Sequence, residues 1–371
     1  MADAKGFREV AYFDTPGGGQ VIVDGHYAYV GHTVGPEGTT IIDVSDPKNP
    51  RQVHQINCRH NGVHAHKVRV HDGLMVTNYE WKAYAGDADP DFRGGLNMWD
   101  VSDPKNPKHI HFWECAGCGV HRFTFDGRYA YISPEMDGYI GAIVVILDLK
   151  DPAKPEEVGR WWYPGQHIAG GEEPTWEADA FRCHHPMRLG NRLYTSYWHG
   201  GFVILDIEDM SRPKFVSGLD WSPPFAFPTH TCLPVPDEIQ GEKWMLVADE
   251  DAGRLWKDSP GAMMWMVNIT DETNPVPVST VQLDTKNEPL RSGCHQPVEE
   301  VRGTDVPVAW FRKGLRLVDF SNPYRLEVTG HFLPDPAPGC KEVLTNDVCY
   351  DAQGLVYMID RDRGLHIVER T

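Results

Sequence analysis

Five histidines stand at the start of a short β-hairpin sequence that recurs along the chain, and histidine both binds metal ions and transfers protons. In each copy, an apolar strand, a turn containing Gly, Asp or Asn, and a second strand follow the histidine. The five are His66, His121, His185, His230 and His295. Asn346 and Gly19 take the equivalent place in two further copies. Equivalent positions of repeated units occupy equivalent places in a fold, so we expect the five imidazoles to converge.

A set of imidazoles favours iron, copper, zinc or nickel. Calcium prefers oxygen ligands, and structural zinc usually has cysteine ligands, which none of the five positions supplies. Asn346 and Gly19 leave one side of the ion uncrowded, as a catalytic metal requires. We therefore predict one metal ion per chain, Fe(II) before copper, zinc or manganese, with three or four of the histidines bound directly.

Side chains near these histidines are candidates for supporting roles. A metal-bound histidine usually donates its second ring N–H to a carboxylate or carbonyl group. The predicted outer residues are His64, His184, Glu80, Asp249, Glu250 and Asn346. Of these, His64 and His184 become ligands if the alignment shifts. The predicted catalytic acid, base or substrate contacts are Tyr197, His199 and Glu135.

A second recurrent unit, an apolar strand followed by an acidic turn with proline, identifies the elements that position these side chains. Its copies include "IIDVSDPKNP" from Ile41, "MWDVSDPKNP" from Met98 and "VILDIEDMSRP" from Val203. With the preceding hairpin and a following strand, each repeat supplies four strands. Seven such repeats predict an all-β, seven-bladed β-propeller that forms a single domain over residues 1–371. The last copy ends after its third strand, so residues 7–17 are expected to complete that blade and close the ring.

The "VILD"-type unit resembles the LVIVD-repeat propeller family over nearly the whole chain, which implies the fold and leaves the chemistry to be argued from the site. In architecture alone, the histidine set is similar to two kinds of propeller. One is the carotenoid-cleavage oxygenases, with an axial ferrous ion on four histidines. The other is the selenium-binding or methanethiol-oxidase propellers, with histidine-bound copper. These resemblances imply an axial metal that activates dioxygen.

Residues 164–184 form an unusually long loop before the fourth hairpin and are predicted to be a lid. Together with "WSPPFAFPT" before His230, this loop is expected to line a cavity over the metal with aromatic side chains. The residues concerned are Trp176, Phe181, Trp221, Phe225 and Phe227. Ordinary packing between blades is the alternative for about half of them.

The bulk composition excludes several classes of partner. The 371 residues carry a formal charge of −18 and no basic run, which argues against nucleic acid and anionic membranes. No secretory signal or apolar membrane span is evident, and eight cysteines do not make a disulfide scaffold in so long a chain. We therefore expect a cytoplasmic protein whose partners are a small substrate and dioxygen.

Three functions remain open from the sequence. The first is a mononuclear metal oxidoreductase, a dioxygenase in its most concrete form, that oxidises or cleaves a small apolar, aromatic or alkene substrate. The second is a redox-silent metal-dependent lyase or hydrolase. The third is a non-catalytic propeller scaffold. A cysteine–histidine hydrolase using Cys183 or Cys294 is a weaker variant, because the histidines outnumber what a dyad needs.

Overall fold

The structure, a computed structural model, describes residues 2–82, 87–176, 181–222, 224–252, 261–285 and 288–371. It is all-β and antiparallel, consistent with a β-propeller, and has one short 3-10 helix at Ile168–Gly170 among the described residues. No helix in this part of the chain has the length and apolar character needed to cross a bilayer.

The strands form small sheets in chain order. The first contains β3 (Gly18–Asp24), β4 (Tyr27–His32), β5 (Glu37–Asp43) and β6 (Arg51–Asn57). The next contains β7 (Val63–His64), β8 (Val68–His71), β9 (Leu74–Trp81), β10 (Gly94–Asp100) and β11 (Lys108–Cys115). It is followed by β12 (Val120–Phe125), β13 (Tyr129–Pro134), β14 (Val144–Asp148) and β15 (Glu156–Trp161).

The second half of the chain continues this arrangement. A single pairing of Trp198 with Thr229 joins two four-stranded groups. They are β16 (Phe181–Leu189), β17 (Arg192–Trp198), β18 (Phe202–Asp206), β19 (Lys214–Leu219), then β20 (Thr229–Pro234), β21 (Trp244–Asp249), β22 (Met264–Asn268), β23 (Val276–Val281). The remaining strands are β24 (Gln296–Pro297), β25 (Asp305–Ala309), β26 (Leu315–Asp319), β27 (Glu327–Leu333), β28 (Thr345–Tyr350), β29 (Val356–Asp360) and β30 (Gly364–Arg370).

The N-terminal residues add strands to the last two sheets. The strand β2 (Phe7–Asp14) pairs with β30, from Phe7 opposite Arg370 to Asp14 opposite Gly364. The short β1 (Asp3–Lys5) pairs with β27 and was not expected from the sequence. Phe7 is 5% exposed and belongs to the core cluster that also contains Phe332. The start of the chain is therefore packed against its last third.

The acidic turn after each third strand has a local cause. The carboxylate Oδ1 of Asp43 accepts hydrogen bonds from the Ser45 backbone N–H at 3.0 Å and the Ser45 hydroxyl at 2.6 Å. Such Asx turns satisfy backbone groups that leave the sheet. The same bond to the backbone N–H two residues on is made by Asp100, Asp148, Asp206, Asn268 and Asp319. The recurrent aspartate, or asparagine at position 268, therefore ends the third strand in six copies.

Candidate metal centre

The first strand of several sheets carries a β-bulge at the same place. The pairing register shifts between Gly18 and Gln20, between Val120 and Phe123, between Thr229 and Thr231, and between Thr345 and Asp347. A bulge inserts one extra residue and redirects its side chain, and bulges are common beside active sites. The residues at the shifts are Gly19, His121 with Arg122, His230 and Asn346. The equivalent positions proposed from the sequence therefore coincide with an irregularity of the strands.

In the β16–β17 hairpin, this position belongs to His184, which corrects the alignment that chose His185. Leu189 pairs with Arg192 across a two-residue turn that begins at Gly190. His184 precedes Gly190 by six residues, as His121 precedes Gly127. His185 instead lies one step further along the strand. Its Nε2 is 3.3 Å from Lys67 Nζ and 3.6 Å from a carboxylate oxygen of Glu299.

Six imidazoles lie side by side in the order of the chain, and we call them the histidine row. Consecutive ring centroids are 3.9, 5.0, 4.8, 4.5 and 4.3 Å apart. The row consists of His64, His66, His121, His184, His230 and His295. His64 and His184, predicted as outer residues, therefore stand among the rings predicted as ligands.

The Nδ1 atoms of most rings in the row have fixed partners. His64, His184 and His295 place Nδ1 at 2.8, 2.8 and 2.6 Å from backbone carbonyl oxygens. A carbonyl oxygen only accepts, so Nδ1 must donate and Nε2 must carry the lone pair. His121 Nδ1 lies 2.7 Å from a Glu80 carboxylate oxygen and donates in the same way. This is the usual arrangement of histidines that bind metals through Nε2.

The Nε2 atoms of the row face one another or a carboxylate. His121 Nε2 and His184 Nε2 are 3.0 Å apart. The buried Nε2 of His66 has no hydrogen-bond partner in the described part of the chain. Glu250 places one carboxylate oxygen 3.9 Å from His230 Nε2 and the other 3.8 Å from His295 Nε2. Two groups have donor atoms that all lie within 4.8 Å of one another: His64, His66, Glu80, His121, and His184, His230, Glu250.

Burial keeps five of the six rings of the row neutral. Desolvation lowers the pKa of His64, His66, His184, His230 and His295 well below its ordinary value, and neighbouring cations lower it further. A neutral imidazole is the form that binds a metal ion. These five rings are therefore in the protonation state that metal binding requires.

A buried polar layer lies beside the row and includes the residues that directly follow His66, His121, His184, His230 and His295. Lys67 is fully buried and forms an ion pair with Glu299. Arg122 donates to Gln296 Oε1 at 2.9 Å. A cavity of about 510 Å³ lies beyond, lined in part by Glu299 and Asp347. This layer was not predicted from the sequence, although Lys67 and Arg122 directly follow histidines of the row.

A position at the end of the second strand also recurs, and the residue type found there differs between copies. Glu80 and Glu250 turn towards the histidine row, as the contacts above show. Glu135, predicted as catalytic, instead accepts a hydrogen bond from the Cys118 backbone N–H at 2.7 Å. Trp198 lies 4.9 Å from the His184 ring, and Phe311 stacks on His295 at 4.2 Å, between ring centroids. These aromatic walls were missed from the sequence.

Four other predicted residues have structural contacts. The fully buried Tyr197 hydroxyl donates to Gln166 Oε1 at 2.5 Å and so packs between sheets. Asp249 accepts a hydrogen bond from Trp265 Nε1 at 2.9 Å, and burial raises the pKa of this carboxyl to about 8. The Asn346 side-chain amide donates to the Gly19 carbonyl, and the Asn346 backbone carbonyl accepts from His295 Nδ1. His199 is 7% exposed and lies against Trp198.

The predicted lid is anchored where it is described, and residues 177–180 lie outside the described part. The Gln166 amide donates to the Ile140 and Ala142 carbonyls, and Glu172 accepts from Trp162 Nε1 at 3.0 Å. Of the predicted cavity aromatics, Trp221 and Phe225 pack on Trp265, Phe227 is 4% exposed within a core cluster, and Trp176 stacks on Phe181. For Trp221, Phe225 and Phe227, packing between strands therefore replaces the predicted cavity lining.

All eight cysteines are free thiols, and two of them stand beside the histidine row in sequence. Burial raises the pKa of Cys183 and of Cys294 well above its ordinary value. A thiolate is the nucleophilic form of cysteine, so a cysteine–histidine hydrolase is disfavoured.

Comparisons with known proteins agree on the repeat and do not indicate an activity. The sequence pattern of the LVIVD repeat matches residues 18–57 and 189–220, so the chain contains LVIVD repeats. No curated protein gives a significant match. Among solved structures, a computationally designed protein, Ika8, has a TM-score of 0.55 at 8% identity over 98% of this chain and 99% of that one. Sqt1 of Saccharomyces cerevisiae has 0.55 at 9% identity over 96% and 87%. At these identities, the likeness concerns the fold alone.

Proposed function

We propose that the chain is a metal-dependent oxidoreductase, built as a closed seven-bladed β-propeller whose histidine row binds a transition metal on the axis. The propeller is supported by contacts between the first strands of successive sheets. They run from β3 to β8, β12, β16, β20, β24 and β28, and from β28 back to β3. The pairing of β2 with β30 supports the closure, because it joins the two ends of the chain in one blade.

The main observation in favour of a bound metal is the 3.0 Å distance between His121 Nε2 and His184 Nε2. Both rings donate through Nδ1, to Glu80 and to the His230 carbonyl, so two lone pairs face each other. Only a proton or bound metal removes the repulsion. Burial lowers the pKa of His184, which disfavours a proton on its Nε2.

The donor set favours a redox metal, with iron first. Imidazoles combined with a carboxylate and an open position are typical of non-haem Fe(II) oxygenases. When bound, such an ion supplies one-electron chemistry towards dioxygen. Within this site, the Nδ1 partners orient the rings, and Trp198 and Phe311 supply an apolar wall that excludes water. Gly19 does not open this side of the site as expected from the sequence, because a Cβ there would lie 2.6 Å from the His66 Cβ.

The first experiment measures the metal content of the purified protein and its EPR spectrum with nitric oxide, and compares His184→Ala with His185→Ala. We expect bound iron that gives a nitrosyl EPR signal. His184→Ala should weaken the affinity for iron at least about tenfold. His185→Ala is the matched control and should retain the metal. Oxygen uptake with apolar alkenes then tests catalysis.

The outcomes separate the candidate functions. Bound copper would keep the oxidoreductase proposal, and the substrates tested would then be thiols. Zinc or manganese alone would replace it by a redox-silent lyase or hydrolase. Absence of metal after reconstitution, or equal losses in His184→Ala and His185→Ala, would overturn the proposal and leave a scaffold.

A further inference from the structure

The histidine row offers more ligands than one ion can use. It contains six imidazoles, and two carboxylates, from Glu80 and Glu250, lie beside them. A transition-metal ion takes at most about six ligands, and a catalytic ion leaves at least one position open. A single ion would leave several buried imidazoles with no partner for Nε2, and buried polar groups without partners are costly.

The ligands divide into two similar sets. The first donor set consists of His64, His66, His121 and Glu80. The second donor set consists of His184, His230, Glu250 and His295, with His295 joined to it through the second oxygen of Glu250. Each set has three imidazoles and one carboxylate. The division falls between consecutive first strands, at the 3.0 Å contact of His121 with His184.

We infer that the histidine row holds two metal ions side by side, one in each donor set, rather than one. This inference rests on the proposed function, since it requires the row to bind metal. The buried Nε2 of His66, which has no hydrogen-bond partner within the described ranges, is available to the first set, and Glu250 gives the second set a carboxylate close to two imidazoles. Two-metal enzymes keep their ions about 3.5–4 Å apart, which suits ligands that meet at this seam.

The two carboxylates also have a shared origin in the repeat. Glu80 and Glu250 occupy the same repeat position at the end of the second strand, and Glu135 occupies it in the β12–β15 sheet but bonds to the Cys118 backbone. A carboxylate therefore faces the row once in each donor set. Glu135 provides a matched control, because Glu135→Gln changes the same residue type at the same repeat position.

The test is the stoichiometry of metal binding to the full chain. Equilibrium dialysis against Co(II), followed by elemental analysis, counts the ions that remain bound. The group His60, Asp89 and Asp91 could hold an additional ion at the surface. The titration therefore uses an Asp89→Asn, Asp91→Asn background, in which both exposed carboxylates are removed.

We expect two ions per chain, one after His66→Gln, one after His295→Gln, and two after Glu135→Gln. One ion per chain in the background protein would overturn the two-ion inference and keep the proposed function. No ion would overturn both. Removal of both ions by His66→Gln alone, with the near-UV circular dichroism unchanged, would also show that the sets are not separate. The count in the background protein decides the question even if a row variant does not fold.

Discussion

Replacing Phe7 by alanine tests how firmly the start of the chain is docked. The Phe7 side chain is 5% exposed and packs in the core cluster of β27, although it belongs to the strand that pairs with β30. Its removal deletes a buried aromatic ring and leaves a cavity, which typically costs about 3–5 kcal/mol of unfolding free energy. We expect a loss in this range, measured by urea denaturation followed by tryptophan fluorescence.

Phe215→Ala is the matched control, because it makes the same substitution in a strand where the ring is 56% exposed. Less than half of the Phe215 side chain is buried, so its removal should cost about 1 kcal/mol of unfolding free energy. If Phe7→Ala costs no more than Phe215→Ala, the N-terminal strand is not docked in solution. The ring would then not be closed by this strand.

Three further predictions concern the site and its surroundings. Ser196→Ala removes a hydroxyl that donates to the His230 carbonyl at 2.7 Å, and should cost about 1–3 kcal/mol in urea denaturation, whereas the exposed Ser45→Ala should change stability by less than about 0.5 kcal/mol. Gly19→Ala places a Cβ 2.6 Å from the His66 Cβ and should weaken metal binding in dialysis, and unchanged affinity would refute the packing described. Removing the metal with a chelator should lower the melting temperature, since an ion at a hundredfold excess over its Kd adds about 2.7 kcal/mol to the unfolding free energy. An unchanged melting temperature would mean that the native state binds no metal.

Much of the fold was predictable because the repeats are short and local. The apolar third strands and the Asx turns that end them are defined by residues within a few positions of one another, such as Asp43 and Ser45. The hairpin position of His66 and His121 followed from the same local pattern. The pairing of β2 with β30 was predictable because the last repeat lacks a fourth strand.

The site was harder to predict because small offsets move a side chain to another place. His184 and His185 differ by one residue, and only the two-residue turn at Gly190 decides which of them joins the row. Trp198 and Phe311 were missed because they reach the row from backbone with positive φ, at 56° and 37°, which no residue pattern indicates. Glu135 was assigned by position alone, and its hydrogen bond to Cys118 depends on a neighbouring loop.

The spacing of the histidine row along the chain has a consequence for folding kinetics. His64 and His295 are separated by most of the sequence, and each remaining member comes from a different hairpin. Bringing such distant residues together requires the loop-closure entropy of several sheets to be overcome first. In a small zinc domain, by contrast, nearby ligands bind the ion as the chain folds. On the proposed function, we therefore expect the ion to bind to sheets that are already assembled, and to slow their unfolding without speeding their formation.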